Sequence, residues 1–222
     1  MSVPVILGSR SPRRFELLKL LVGPERIVVK PPLVADEAGF EDFSTLSEFQ
    51  QRIIEIAHGK AADVLSQCRQ QVGEFVVLVA DTTVVVEDSQ GRKKSLGQPP
   101  EDADWESVVR GWFRDYYAGR THHVLSGVVA VRATAAGIVQ QGQRTCLSSV
   151  TMRADVDRWL DWYLQTREPL GKAGGYAIQG GASVFVTQLV GSYSNVVGLP
   201  LEETALLLQE VQAMSCCSSP GG

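Results

Sequence analysis

Phe75-Val76-Val77-Leu78-Val79-Ala80-Asp81-Thr82-Thr83-Val84-Val85-Val86 is the stretch on which the fold turns. Its first six residues are apolar without alternation, the pattern of a strand covered on both faces and set inside a sheet. Asp81 interrupts that run. A carboxylate following six apolar residues is poorly explained by solubility, and in open α/β sheets ligands sit beyond the carboxyl ends of strands. The plainer alternative is a strand-terminal aspartate making a turn. Extended chain resumes at Thr82 to Val86, so a kink at Asp81 between two strand segments is expected.

Upstream, Val5-Ile6-Leu7-Gly8 reads as a second buried strand, broken by Ser9-Arg10-Ser11-Pro12-Arg13-Arg14. Ser11 suits a helix N-cap, and Pro12 suits the first helical position, where a missing N–H costs nothing. Arg13 and Arg14 then place two cations in the first turn, where the helix dipole disfavours them by roughly 0.3–1 kcal/mol each. An anion held there would remove the conflict. Free backbone N–H groups, the hydroxyls of Ser9 and Ser11 and paired guanidiniums form the components of a phosphate site; solvated arginines behind an ordinary cap are the alternative. The helix runs to Val22 and stops at Gly23-Pro24. Ile27 to Val29 is a short strand, the acidic pair Asp36-Glu37 lies in a stretch without period, and a long helix spans Leu46 to Leu65 behind Ser44 or Thr45. Its cations Arg52, His58 and Lys60 read mostly as a wet face.

Downstream, Asp88 to Ser95 reads as an exposed hairpin tip, and Asp102 to Tyr117 as a helix whose Trp105, Val108, Val109, Trp112 and Phe113 stripe belongs to the core. Two strands, Val124 to Arg132 and Ile138 to Met152, precede an amphipathic helix at Asp155 to Gln165. Gly171 to Gly181 is dense in glycine, implying close backbone approach or unusual dihedrals. A strand at Val184 to Val190, the segment Gly191 to Asn195 and a helix at Leu201 to Val211 follow. The order predicts an α/β protein with a mixed twisted sheet flanked by helices. Residues 1–213 are expected to form one domain, and 214–222 a flexible C-terminal tail.

With 222 residues, 44% apolar, the chain suits one domain or two small lobes sharing one core. A net charge of −4 argues against nucleic acid and acidic membranes as partners. The N-terminus lacks a signal-peptide pattern and no long apolar run appears, which predicts a cytoplasmic protein. Cys68, Cys146, Cys216 and Cys217 have no zinc spacing, so reduced thiols are expected. Gly171-Lys172 is no P-loop, because Thr166 stands where its first glycine belongs. No GxSxG elbow or HExxH helix is present, and His122 and His123 cannot face one metal from a strand. Arginines at a helix start, lysines and the carboxylates Asp36, Glu37 and Asp81 remain. They fit phosphate chemistry assisted by a hard divalent cation.

Six blocks spread over nearly the whole chain carry a resemblance. They are Ser9 to Arg14; Ala80 to Thr83; Leu96-Gly97-Gln98-Pro99; Gly119 to His122; Lys172 to Gly180; and Gly191 to Pro200. In content and order they resemble the Maf family of nucleoside triphosphate pyrophosphatases, also called septum-formation proteins. The resemblance implies a Maf/ITPase-like fold, elongated and two-lobed with a central cleft, and a homodimer. It also implies hydrolysis of a nucleoside triphosphate to its monophosphate and pyrophosphate with Mg²⁺ or Mn²⁺, on the dTTP and UTP branch rather than the 7-methyl-GTP branch. Ser9, Arg13 and Arg14 then match the phosphate-binding turn, with Ser11 beside them. Lys60, Lys172 and Gln179 join them as substrate-binding residues, and Glu37 matches the early carboxylate. Asp81 matches the catalytic aspartate, as base or as metal ligand.

Two departures stand out. Gln98 replaces the family's usual lysine, removing a charge-assisted contact worth about 1.5–3 kcal/mol, for which Lys93 or Lys94 is the nearest substitute. Gly171 stands where the family often has aspartate. Both substitutions favour a second reading, a nucleotide-binding regulator with weak or lost hydrolysis. A nucleic-acid-binding septation factor fits poorly, because the chain is acidic and has no basic stripe.

Overall fold

The structure, a computed structural model, describes residues 3–33, 39–40 and 43–213. A seven-stranded mixed sheet runs in the order β2-β1-β3-β5-β6-β7, with β4 also on β3. Its strands are β1 (Val5–Leu7), β2 (Ile27–Val29), β3 (Phe75–Glu87), β4 (Lys93–Leu96), β5 (Thr121–Thr134), β6 (Gly137–Met152) and β7 (Val186–Val190). The helices are α1 (Pro12–Leu18), α2 (Leu46–Gln67), α3 (Trp105–Trp112), α4 (Asp157–Gln165), α5 (Tyr193–Val197) and α6 (Leu201–Glu210). β1 pairs in parallel with both β2 and β3, whereas the β3–β4, β3–β5, β5–β6 and β6–β7 pairs are antiparallel. This is the mixed α/β architecture that the order of elements implies. No helix among the described residues is long and apolar enough to cross a membrane.

β3 has no kink at Asp81. It pairs with β5 in unbroken register from Phe75 opposite Ala133 to Val85 opposite His123, and Asp81 lies opposite Gly127 within it. The β-branched residues after Asp81 prolong the ladder, and the carboxylate needs no bend to reach open space. The reason lies on the other edge. There β1 covers Val76 to Leu78 and β4 covers Val84 to Glu87. Among the described residues no strand borders 79–83 on that edge, so the sheet has a gap beside Asp81, whose side chain stands with Val77, Val79 and Val85 on the face covered by α2.

Alternation along β3 distributes three apolar layers. Val77 and Val79 pack on Ala57, Ala61 and Val64 of α2, and Val85 packs on Phe49 and Ile53 of the same helix. On the opposite face Val76, Leu78 and Ala80 join Leu18, Leu207 and Leu208. Val84 and Val86, farther along that face, join Trp105, Phe113, Leu160 and Tyr163. Thr82 stands between these two cores, and its hydroxyl meets Ser126 Oγ at 2.8 Å. A polar step thus separates the two apolar clusters on this face.

Other boundaries shift for local reasons. Helix α1 ends at Leu18, and turn hydrogen bonds carry the chain to Val22. The exposed tip is shorter than expected, because Lys93–Leu96 pairs with β3 and leaves Asp88 to Arg92 as the turn. β7 begins at Val186, after a 3-10 segment at Gly181–Phe185. Helix α2 does begin at a Thr45 cap, with Glu48 reciprocating to the Thr45 backbone. Cys68 and Cys146 are buried free thiols. The tail at 214–222, with Cys216 and Cys217, lies outside the described residues.

Gly127 sets how closely α2 lies on the sheet. A Cβ there would meet Ile53 O at 3.0 Å, with the carbonyl carbon at 3.1 Å. Gly127→Ala is therefore expected to push α2 outward and cost about 1–3 kcal/mol, as overpacking does. Urea denaturation of the two proteins measures it, and an unchanged midpoint would contradict the close fit.

Candidate active site

The gap beside residues 79–83 opens into a cleft of about 880 Å³. Its walls are the turn after β1, the middle of β3, the loop after β4, the glycine-rich loop at 171–181 and the end of α5. Ser9, Ser11, Arg13, Arg14, Lys60, Asp81, Gln98, Lys172 and Gln179 all line it. The structure thus brings together every expected site residue except Glu37, which lies outside the described residues with Asp36.

Asp81 is 7% exposed. Its Oδ1 accepts from Lys60 Nζ at 2.7 Å, an ion pair between the middle of β3 and the one cation of α2 that turns into the cleft. Arg52 pairs instead with Glu55, and His58 meets Gln143 Oε1. The wet-face reading holds for those two and fails for Lys60.

The turn after β1 is built from its own hydroxyls. Ser9 Oγ accepts from Ser11 N at 3.1 Å, and Ser11 Oγ caps α1 by accepting from Arg14 N at 3.4 Å. The two arginines then differ. Arg14 folds back, donating Nε to Gly198 O at 2.9 Å, Nη1 to Ser9 Oγ at 3.2 Å and Nη2 to Thr82 Oγ1 at 3.2 Å. It ties the turn to α5 and to the polar step in β3. Arg13 is half-buried, and burial pushes its guanidinium below the ordinary range. Burial, and then the charge of Arg13, lower the Lys172 ammonium as well, against Glu168, which raises it. Two partly desolvated cations from opposite walls therefore face one space, an arrangement that a polyanion relieves.

Gln98 lies exposed on the rim, and Gly174 N donates to Gly97 O at 2.9 Å, joining its loop to the glycine-rich loop. Lys93 and Lys94 do not replace the missing charge. Lys93 pairs with Glu87 at 3.3 Å, Lys94 lies over the Tyr116 ring, and neither lines the cleft. Gly171 has φ +68° with open space around an added Cβ. Aspartate tolerates that conformation better than most residues, so its absence here is a loss of charge and not a steric demand.

Among the described residues Asp81 is the only carboxylate lining the cleft, and no group of three His, Cys, Asp or Glu side chains converges. One carboxylate together with phosphate oxygens is nevertheless a donor set that Mg²⁺ accepts, since it keeps most of its water. The described residues fit such an ion with a phosphorylated ligand beside it.

Sequence patterning missed several contributors. Thr82 and Thr83 looked like ordinary strand formers, yet Thr82 receives Arg14, and Thr83 Oγ1 lies 2.5 Å from Ser95 Oγ at the cleft wall. Tyr176 also lines the cleft, its hydroxyl 2.8 Å from Nε2 of the buried His122. The available signal for Thr83 was its place two positions after Asp81, on the same face of the strand.

A profile of the Maf-like protein family matches residues 4–211. A dTTP/UTP pyrophosphatase of Clostridium botulinum (strain Eklund 17B / Type B) is 34% identical over 206 residues, spanning 93% of this chain and 98% of its own. Proteins of the same name from Nitrosospira multiformis and Sphingopyxis alaskensis are each 38% identical, over 213 and 209 residues, spanning 93% of this chain and 93% and 96% of their own. Among solved structures, a nucleoside-triphosphatase / dITP/XTP pyrophosphatase from Mycobacterium abscessus overlaps with a TM-score of 0.34 at 10% identity, covering 68% of this chain and 75% of that one. That overlap is too loose to bear on the site.

His122 gives a pH signature. Burial, and secondarily His123, push its imidazole down from 6.5 to about 3. The unfolded chain then binds the extra proton, so this stabilisation is complete above pH 6.5 and is lost as pH falls toward 3. Melting temperatures of the wild type are expected to drop more steeply over that interval than those of His122→Gln; parallel curves would contradict it.

Proposed function

The chain belongs to the Maf-like protein family, and from that membership we propose that it hydrolyses a nucleoside triphosphate to the monophosphate and pyrophosphate, with dTTP or UTP as substrate. The observation that carries this reading is the Asp81–Lys60 pair in the gap of the sheet, facing the cations Arg13 and Lys172 across one cleft.

The triphosphate lies against Arg13, Lys172 and the Ser9 to Ser11 turn, whose donors compensate charge that grows on the leaving group. The nucleoside occupies the apolar side of the cleft, along Val84, Val124, Tyr176, Ala177, Val196 and Val197. Lys60 fixes Oδ1 of Asp81, so the carboxylate presents a set direction to water at the α-phosphorus. Attack there forms the new P–O bond and breaks the bond to the α–β bridging oxygen, which leaves with pyrophosphate; Asp81 orients the water and accepts its proton. Mg²⁺ or Mn²⁺ would be held chiefly by phosphate oxygens, with Asp81 as the nearest carboxylate among the described residues, and would supply neutralisation of the triphosphate's negative charge.

The test is a nucleotide panel with Mg²⁺ or Mn²⁺ and identified products. Pyrophosphate release is expected, whereas orthophosphate release or a blank panel overturns the reading. Asp81→Asn is expected to lower kcat by about 10²–10⁴-fold while triphosphate binding, followed by thermal stabilisation, persists.

Gln98 and Gly171 support the second reading, a nucleotide-binding regulator with weak or lost hydrolysis. It expects ligand-dependent stabilisation without turnover. Gln98→Lys separates the two. A rise from near zero by about ten-fold or more marks a degenerate enzyme, because one charge-assisted contact is worth that much; an unchanged, substantial rate marks Gln98 as tolerated.

A further inference from the structure

The glycine-rich loop contributes Lys172 and Gln179 to the cleft, yet both lie on a segment with little regular structure. Some fixed point must hold its ends. Tyr117 OH donates to Gly174 O at 2.8 Å and Tyr163 OH donates to Gly175 O at 3.2 Å, so two buried phenols grip the middle. The ends converge on one residue, Glu168.

At the near end, Lys172 Nζ donates to the backbone carbonyl of Glu168, and to Leu170 O at 3.4 Å. At the far end the Glu168 carboxylate accepts from Gly181 N at 2.9 Å and from Ala182 N at 3.3 Å. Those amides open the 3-10 segment that follows Gln179-Gly180. A Cβ at Gly180 would lie 2.2 Å from Glu168 Oε2, so only glycine lets the carboxylate approach. Glu168 is half-buried and is not among the residues lining the cleft.

We propose that Glu168 is a positioning residue: its backbone carbonyl and its carboxylate close the loop at both ends and thereby set where Lys172 and Gln179 stand against the substrate. The inference rests on the proposed function for its substrate, but the closure itself stands on these contacts. Charge-assisted bonds to two backbone amides are stronger than neutral ones, and small displacements of a substrate-holding group cost rate steeply. Releasing the carboxylate frees the Gln179 end, while the backbone carbonyl keeps its hold on Lys172 at the other.

A double-mutant cycle tests this on the nucleotide that the panel identifies. Glu168→Ala is expected to lower kcat/KM by roughly ten-fold or more, and Glu168→Gln, whose amide oxygen still accepts a backbone N–H, to recover most of it. In a Lys172→Ala/Gln179→Ala background, Glu168→Ala should add less than about two-fold, because residues acting as one unit are not additive. Additivity of the two losses, or wild-type kinetics in Glu168→Ala, overturns the proposal. If Glu168→Ala does not fold, Glu168→Gln and Glu168→Asp replace it, and faster amide exchange at Gly181 and Ala182 in Glu168→Asp, with Glu168→Gln nearer the wild type, is the expected order. If the wild type hydrolyses nothing, the function proposal fails on its own. The same cycle is then read from affinity for inorganic triphosphate, where additivity overturns the closure.

Discussion

One ion pair lies at the centre of this molecule, and its position follows from an interrupted sheet edge. Lys60 and Asp81 meet because α2 lies on the face of β3 to which the carboxylate points, and the cleft reaches them where neither β1 nor β4 extends over residues 79–83. Had either strand been longer, its backbone would have closed the edge beside residues 79–83. Breaking a buried pair by removing one partner costs about 3–5 kcal/mol, so the arrangement also constrains the fold around it. The sheet therefore gives up a few ladder hydrogen bonds on one edge and gains a polar opening lined by its most buried strand.

The second constraint is the polar step through Thr82. On one face of β3 two apolar cores approach each other and are kept apart by the Thr82 and Ser126 hydroxyls. Arg14 inserts there, spanning the turn after β1, β3 and the end of α5. Its guanidinium donates to Gly198 O, Ser9 Oγ and Thr82 Oγ1, whereas Arg13 and Lys172 are the pair whose burial and mutual charge set them against each other. Adjacent arginines with the same apparent role in the sequence thus divide into a strut and a ligand-facing cation.

Much of this was legible in the sequence, for physical reasons. The unalternating apolar run identified β3, the Ser-Pro-Arg-Arg turn identified a helix start with uncompensated charge, and the family resemblance assigned Gln98, Lys172 and Gln179 within its blocks and Lys60 on the second helix to the same site. The kink at Asp81 was wrong because a lone carboxylate in an apolar run reads as an ending, whereas a missing neighbour on one edge leaves no mark in the sequence of the strand itself. Lys93 and Lys94 are close to Gln98 in sequence, but strand pairing with β3 turns them to Glu87 and Tyr116. Glu168 was invisible for another reason. Its work is done through contacts to backbone amides 13 and 14 positions away, and hydrophobic periodicity carries no record of such contacts.

The composition of the core on the α1 side has a consequence for the order in which the protein assembles. That core joins Val5, Leu7 and Leu18 from the start of the chain to Leu199, Leu207, Leu208 and Val211 near its end. The other core on that face draws its buried residues from Val84 to Phe185, with Leu189, Val196 and Val197 packed against it. During synthesis the turn holding Ser9, Arg13 and Arg14 leaves the ribosome well before α6, and the apolar surface beneath it stays exposed until α6 arrives. Contacts of such sequence separation are slow to form. The anion-facing corner is thus made long before the core under it is sealed.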